Sequence, residues 1–221
     1  MTELVDATLA ELQRNSIPEL GAVILAVAYL LLAVRQNITC WYAAFLSSAI
    51  FLFVFWRVDL FMESGLQVYY LVMAVYGWWS WRHGSAAKQS LPVSTWPVRY
   101  HLLALTFIAV ATWISAQLLA ETNQRLAYLD SFTTWSAILT TYMVARKILE
   151  NWIYWLIIDA ASIYLYLDRE LYFTALLFGI YIIIIFFGFR AWLRDYGAAN
   201  TQHTRLSVSY THLTLPTNRE V

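Results

Sequence analysis

Asp159 stands in the middle of an apolar stretch, NWIYWLIIDAASIYLYL (Asn151–Leu167), and is the one charged residue deep inside any apolar segment of the chain. At 1.5 Å per residue the stretch is long enough to cross a bilayer as a helix. A carboxylate near the centre of a membrane helix costs roughly 2.5–3.5 kcal/mol on insertion scales, so it must face protein or water and not lipid. Trp152, Trp155, Ser162 and Tyr166 recur with Asp159 at spacings of three and four, which gathers them on one helical face. Other polar and aromatic residues within apolar segments are Gln67, Tyr70, Trp135, Thr140 and Asn151. Aromatic faces stack on a flat ring and attract a cationic one, at roughly 0.5–2 kcal/mol per contact. Amide, hydroxyl and carboxylate groups hydrogen-bond the rest of a polar solute. The alternative for Thr140 and Ser48 is a hydrogen bond between helices, which averages about 0.6 kcal/mol in membranes. This is the chemistry of binding. No nucleophile–base pair and no metal-ligand spacing accompanies it, so neither a catalytic nor a metal site is expected.

Other classes fall away on motif and composition. There is no G-x-x-x-x-G-K-[ST] loop for ATP, no H-E-x-x-H and no G-x-S-x-G. The single cysteine, Cys40, permits no internal disulfide, and its plain role is apolar packing. Charged residues make up 13% of the chain and hydrophobic ones 61%, with mean hydropathy +0.56. Soluble domains carry about 25% charged residues, so the chain belongs in a membrane. Its formal net charge of zero gives no reason to expect nucleic acid, and no cofactor is implied.

Seven segments are expected to span: Pro18–Val34, Ile38–Trp56, Phe61–Trp81, Val98–Leu119, Leu129–Leu149, Asn151–Leu167 and Leu171–Leu193. Ahead of them, residues 1–17 carry Leu4, Val5, Leu9 and Leu12 in the pattern of a leader or short interfacial helix. The third and fourth segments are separated by a polar stretch, 83–97, that contains Pro92 and Pro97. Beyond the last span lies a tail, 195–221, whose portion after Arg205 is polar and β-prone and resembles a cloning scar. Counting Lys and Arg by side gives Arg14, Arg57, Arg125 and Arg169 against Arg35, Arg82, Lys88, Arg99, Arg146, Lys147, Arg190, Arg194 and Arg205. The positive-inside rule then puts the N-terminus outside and the C-terminus in the cytoplasm. Most tryptophans fall at segment ends, as an interfacial aromatic belt requires.

Shifting the chain by 111 residues superimposes one third of it on another. Arg35 falls on Arg146, Trp41 on Trp152, Tyr70 on Tyr181, Gly77 on Gly188 and Trp81 on Trp192. Residues 18–82 thus form one three-helix repeat and 129–194 a second, with 98–128 holding a linker helix and its loop. Three helices reverse the chain, so a parallel second triple needs one extra span first. The expected fold is therefore an all-α membrane protein of seven helices in a 3+1+3 arrangement, as found among secondary transporters. The solute site then lies between the triples near the midplane. There Ser48 maps onto Asp159 and Cys40 onto Asn151, so the two halves offer a solute different surfaces.

The segments ESGLQVYYLVMAVYGWWSWR (63–82), ENWIYWLIIDAASIYLY (150–166) and TALLFGIYIIIIFFGFRAW (174–192) resemble the PnuC-type nicotinamide riboside transporters, relatives of the SWEET sugar carriers. The resemblance implies a SWEET-like fold, alternating access, and downhill uptake of nicotinamide riboside, an NAD precursor, trapped by a separate cytoplasmic kinase. It also implies a homotrimer in the bacterial inner membrane. SWEET carriers hinge at a proline inside the first helix of each triple, and this chain has none there. Two rivals are a proton-coupled carrier of another small polar solute that uses Asp159, and a seven-helix receptor or scaffold that transports nothing.

Overall fold

The computed structural model describes residues 17–57, 61–84, 91–119, 126–168 and 171–213. They form seven helices: α1 (Ile17–Val34), α2 (Cys40–Arg57), α3 (Phe61–His83), α4 (Val98–Leu119), α5 (Ala127–Ala145), α6 (Asn151–Asp168) and α7 (Tyr172–Leu213). Among the described residues there is no strand beyond one isolated bridge, between Ser94 and Ile148. Of the leader expected over residues 1–17, all but Ile17, which opens α1, lies outside the described residues. By length and hydropathy alone α2, α4 and α7 qualify as spans, and α1 is a shorter apolar helix. The remaining three, α3, α5 and α6, are the ones that carry Gln67, Thr140 and Asp159. Phe53, Val72, Leu102, Trp113 and Phe187 are among many large apolar side chains that stand exposed, as lipid-facing residues do.

The duplication is reproduced at the level of single hydrogen bonds. At the end of α1 the N–H of Gln36 donates to Ala33 O and that of Asn37 to Leu32 O; at the end of α5 Lys147 donates to Val144 O and Ile148 to Met143 O. Every partner in the second set is its counterpart in the first plus 111. The long bond closes a Schellman-type cap, which needs one left-handed residue. Gln36 and Lys147 supply it with φ of 52° and 51°. Glycine would fit this conformation freely, whereas an L side chain costs about 1–2 kcal/mol. Side-chain packing repeats as well. The ring of Trp41 lies against the Cα of Gly77 and that of Trp152 against Gly188, where any Cβ would overlap it.

The helices close into a ring. Within each triple α1 packs on α2 and α2 on α3, as α5 packs on α6 and α6 on α7. Between triples α3 packs on α5 and α7 on α1, two contacts that the repeat exchanges. The linker α4 sits outside this ring against α5. From α3 the chain returns over the α5–α6 turn, where Ser94 exchanges backbone hydrogen bonds with Lys147 and Leu149. Two helix ends depart from expectation. Helix α5 stops at Ala145, not Leu149, because the left-handed Lys147 breaks it. At the other terminus α7 runs past Leu193 as a helix to Leu213, through residues expected to be β-prone.

Candidate transport site

Asp159 is 3% exposed at mid-height on α6, and among the described residues it shares with Lys147 the distinction of being a buried charged side chain. Tyr181 of α7 lies within its electrostatic reach. From there a string of aromatic rings crosses the interior. Tyr181 meets Phe178 at 5.5 Å, Phe178 meets Tyr166 of α6 at 5.2 Å, and Tyr70 of α3 lies within reach of both Tyr166 and Tyr29 of α1. The two triples thus face each other across tyrosines, with the carboxylate at one side. Tyr181 is the repeat image of Tyr70 and was open to inference from the offset; Tyr29, whose image is Thr140, carried no such signal.

The other expected residues divide. Asn151 is fully buried at the start of α6; its amide donates to Ile148 O, while its carbonyl oxygen has no partner. Neighbouring Trp152 is 2% exposed, meets Trp192 edge-on at 5.4 Å, and has an unpartnered indole N–H. Buried polar atoms are nearly always satisfied, so these two are candidate solute contacts. Trp155 is half-buried and packs against the same cluster. Gln67 and Tyr70 are half-buried on α3. Thr140 is fully buried, with its hydroxyl donating to Ser136 O one turn back. Trp135 points elsewhere. Its indole donates to Ser115 Oγ at 2.8 Å and its ring meets Phe107 edge-on at 5.7 Å, which holds it against α4.

At the end of the bundle that bears Arg35 and Arg146, four tryptophans cross the seam between triples. Trp81 meets Trp41 at 5.4 Å and Trp192 at 6.2 Å. The Trp81 indole donates to Val144 O at 3.2 Å and the Trp192 indole to Ala33 O at 3.0 Å. Donors and acceptors are each related by the 111 offset, and each bond runs from one triple to the other. Only a two-fold axis between the repeats produces such reciprocity. Beside it Lys147 Nζ donates to Gln36 Oε1 at 3.0 Å and lies 4.5 Å from the centre of the Trp81 ring. Gln36 Nε2 in turn donates to Asp195 of α7 at 2.7 Å. Burial pushes the Lys147 ammonium down to about 8, while Asp195 pulls the other way.

A closed ring of apolar helices with a buried carboxylate, facing tyrosines and a two-fold seam is the build of a multi-pass membrane transporter. The comparisons agree. The family model described as nicotinamide mononucleotide transporter matches residues 16–194, and the chain belongs to that family. Its similarity to the riboflavin/roseoflavin transporter RibM of Streptomyces davaonensis is 27% identity over 176 residues, covering 76% of this chain and 81% of RibM. To the nicotinamide riboside transporter PnuC of Escherichia coli it is 23%, covering 78% and 84%. A crystal structure of the vitamin B3 transporter PnuC superimposes with a TM-score of 0.68 at 17% identity over 88% of each chain, which shows the fold. The protein is thus a PnuC-type membrane transporter and not an enzyme, as the resemblance had implied.

Proposed function

We propose that this transporter carries nicotinamide riboside, letting the two triples rock about their two-fold axis so that the interior opens to one side at a time. Transport is downhill, and a separate kinase retains the solute by phosphorylating it. The observation that carries the choice of solute is Asp159, a buried carboxylate within a span. It supplies the counter-charge that a flat cationic pyridinium requires, and Tyr70, Tyr166 and Trp155 offer rings on which that pyridinium stacks. Asn151, Gln67 and Thr140 suit the amide and the ribose. The positive-inside count assigns the Lys147 end to the cytoplasm. A homotrimer in the bacterial inner membrane completes the reading.

The likeness to RibM favours one second reading, a flavin, whose fused ring is equally flat but uncharged. Calorimetry on purified protein separates the two. Nicotinamide riboside is expected to bind in the micromolar range and to lose roughly 5–150-fold in Asp159→Asn, equivalent to 1–3 kcal/mol. Riboflavin binding that is unaffected by this substitution, with no riboside binding, would replace the first reading by the second.

A further inference from the structure

The left-handed residues Gln36 and Lys147 are repeat images of each other, and their side chains meet. Two residues related by a two-fold axis touch only where they lie beside that axis, so this pair marks the point where the axis leaves the bundle. Neither is glycine, although the backbone would accept glycine more easily. What glycine lacks is the side chain, and here both side chains are engaged across the seam. From the aqueous rim inward run the exposed Asp195, the half-buried Gln36, the 2% exposed Lys147 and the ring of Trp81. Lys147 and Asp195 belong to the second triple; Gln36 and Trp81 belong to the first. Any separation of the triples at this end must break these contacts together with the reciprocal Trp81–Val144 and Trp192–Ala33 bonds.

We propose that Gln36 and Lys147, braced by Asp195 and closed from beneath by Trp81 and Trp192, are the gate that shuts the solute path at this end of the protein. The proposal rests on the transporter reading and adds the residues that hold one side closed. Backbone strain at two symmetric turns is retained because it aims both side chains at the axis. The pair is also unequal by design of sequence: two lysines would repel, and two glutamines would leave no cation for the Trp81 face.

The chain carries its own reporter. Cys40, its single cysteine, is fully buried in the same cluster as Trp41, Trp81 and Trp192, and within electrostatic reach of Lys147. A path opened at the latch exposes it. The experiment is the rate of N-ethylmaleimide reaction with Cys40 in the full-length protein in detergent, followed by mass spectrometry. Lys147→Ala and Gln36→Lys should each raise that rate roughly tenfold, the yield of losing about one hydrogen bond to a charged group. Gln36→Glu combined with Asp195→Asn adds an ion pair across the seam, and should slow both labelling and riboside counterflow severalfold. Unchanged labelling in Lys147→Ala and Gln36→Lys, with melting temperatures equal to wild type, would show that the latch is static packing. Should Lys147→Ala fail to fold, the two Gln36 variants decide the matter alone, since they alter a half-exposed side chain. The labelling measurement contains no solute, so an absence of flux in wild-type vesicles overturns the transporter reading without touching the labelling result.

Discussion

Asp159 and Lys147 are both buried charges, yet they ask different things of the protein. A carboxylate in the centre of a span gains nothing for the empty fold, so Asp159→Asn should leave the melting temperature in detergent unchanged or slightly raised while it weakens riboside binding. Loss of stability and of binding together would make Asp159 a structural residue. Lys147 sits in a turn at the bundle end, where burial lowers it from the usual 10.5 to about 8. Between those values the unfolded chain holds a proton that the folded chain lacks, so stability rises with pH across that window. Thermal melts from pH 7.5 to 10.5 should climb by a few degrees in wild type relative to Lys147→Met, which has no such proton. The charge of Asp159 was legible in the sequence because a carboxylate among leucines and isoleucines stands out. The role of Lys147 was hidden, because beside Arg146 it reads as one more positive charge at a membrane surface.

At the scale of the helix, apolar runs marked out the seven spans and the offset of 111 residues paired six of them, since tryptophan and glycine are rare enough for coincidences to mean something. The offset matched Trp41 to Trp152 and Gly77 to Gly188 only as letters; the close approach of each ring to its glycine's backbone explains why both letters recur. Gly77→Ala and Gly188→Ala should therefore each destabilise by about 1–3 kcal/mol through overpacking. The melting temperature would fall by roughly 2–4 °C per kcal/mol for a chain of this size. Gly65→Ala and Gly179→Ala, where a Cβ would meet nothing, are the controls and should not destabilise. Helix rotation was the unreadable part. A residue's place along a span follows from counting, but its azimuth depends on neighbours, and Trp135 shows the consequence. Its depth suits a cavity, and its ring nonetheless turns to Phe107 and Ser115 of α4. The latch was missed for a related reason. Gln36 and Lys147 obey the same offset, but a search for identical residues passes over a glutamine facing a lysine.

For the molecule as a whole the ring has two seams, α3 on α5 and α7 on α1, exchanged by the two-fold axis. Symmetric seams allow the triples to tilt either way with similar contacts, which suits a carrier that exposes one site to both sides. The energy source is then the question. An ion-driven cycle needs a group that loads and unloads the ion in step with the solute, and Asp159 is the only buried carboxylate among the described residues. If that carboxylate faces a cationic ring, it is occupied by the solute itself and must stay ionised for the solute to bind. Under the proposed reading proton and riboside then compete for one group and cannot ride together, which makes the proposed uptake downhill. In proteoliposomes, riboside counterflow should proceed without a pH gradient and be unaffected by a proton ionophore. An imposed inward proton gradient should drive no accumulation above the outside concentration. Accumulation that collapses on adding the ionophore would make Asp159 a proton carrier and give the site to a solute that binds beside a neutral carboxyl.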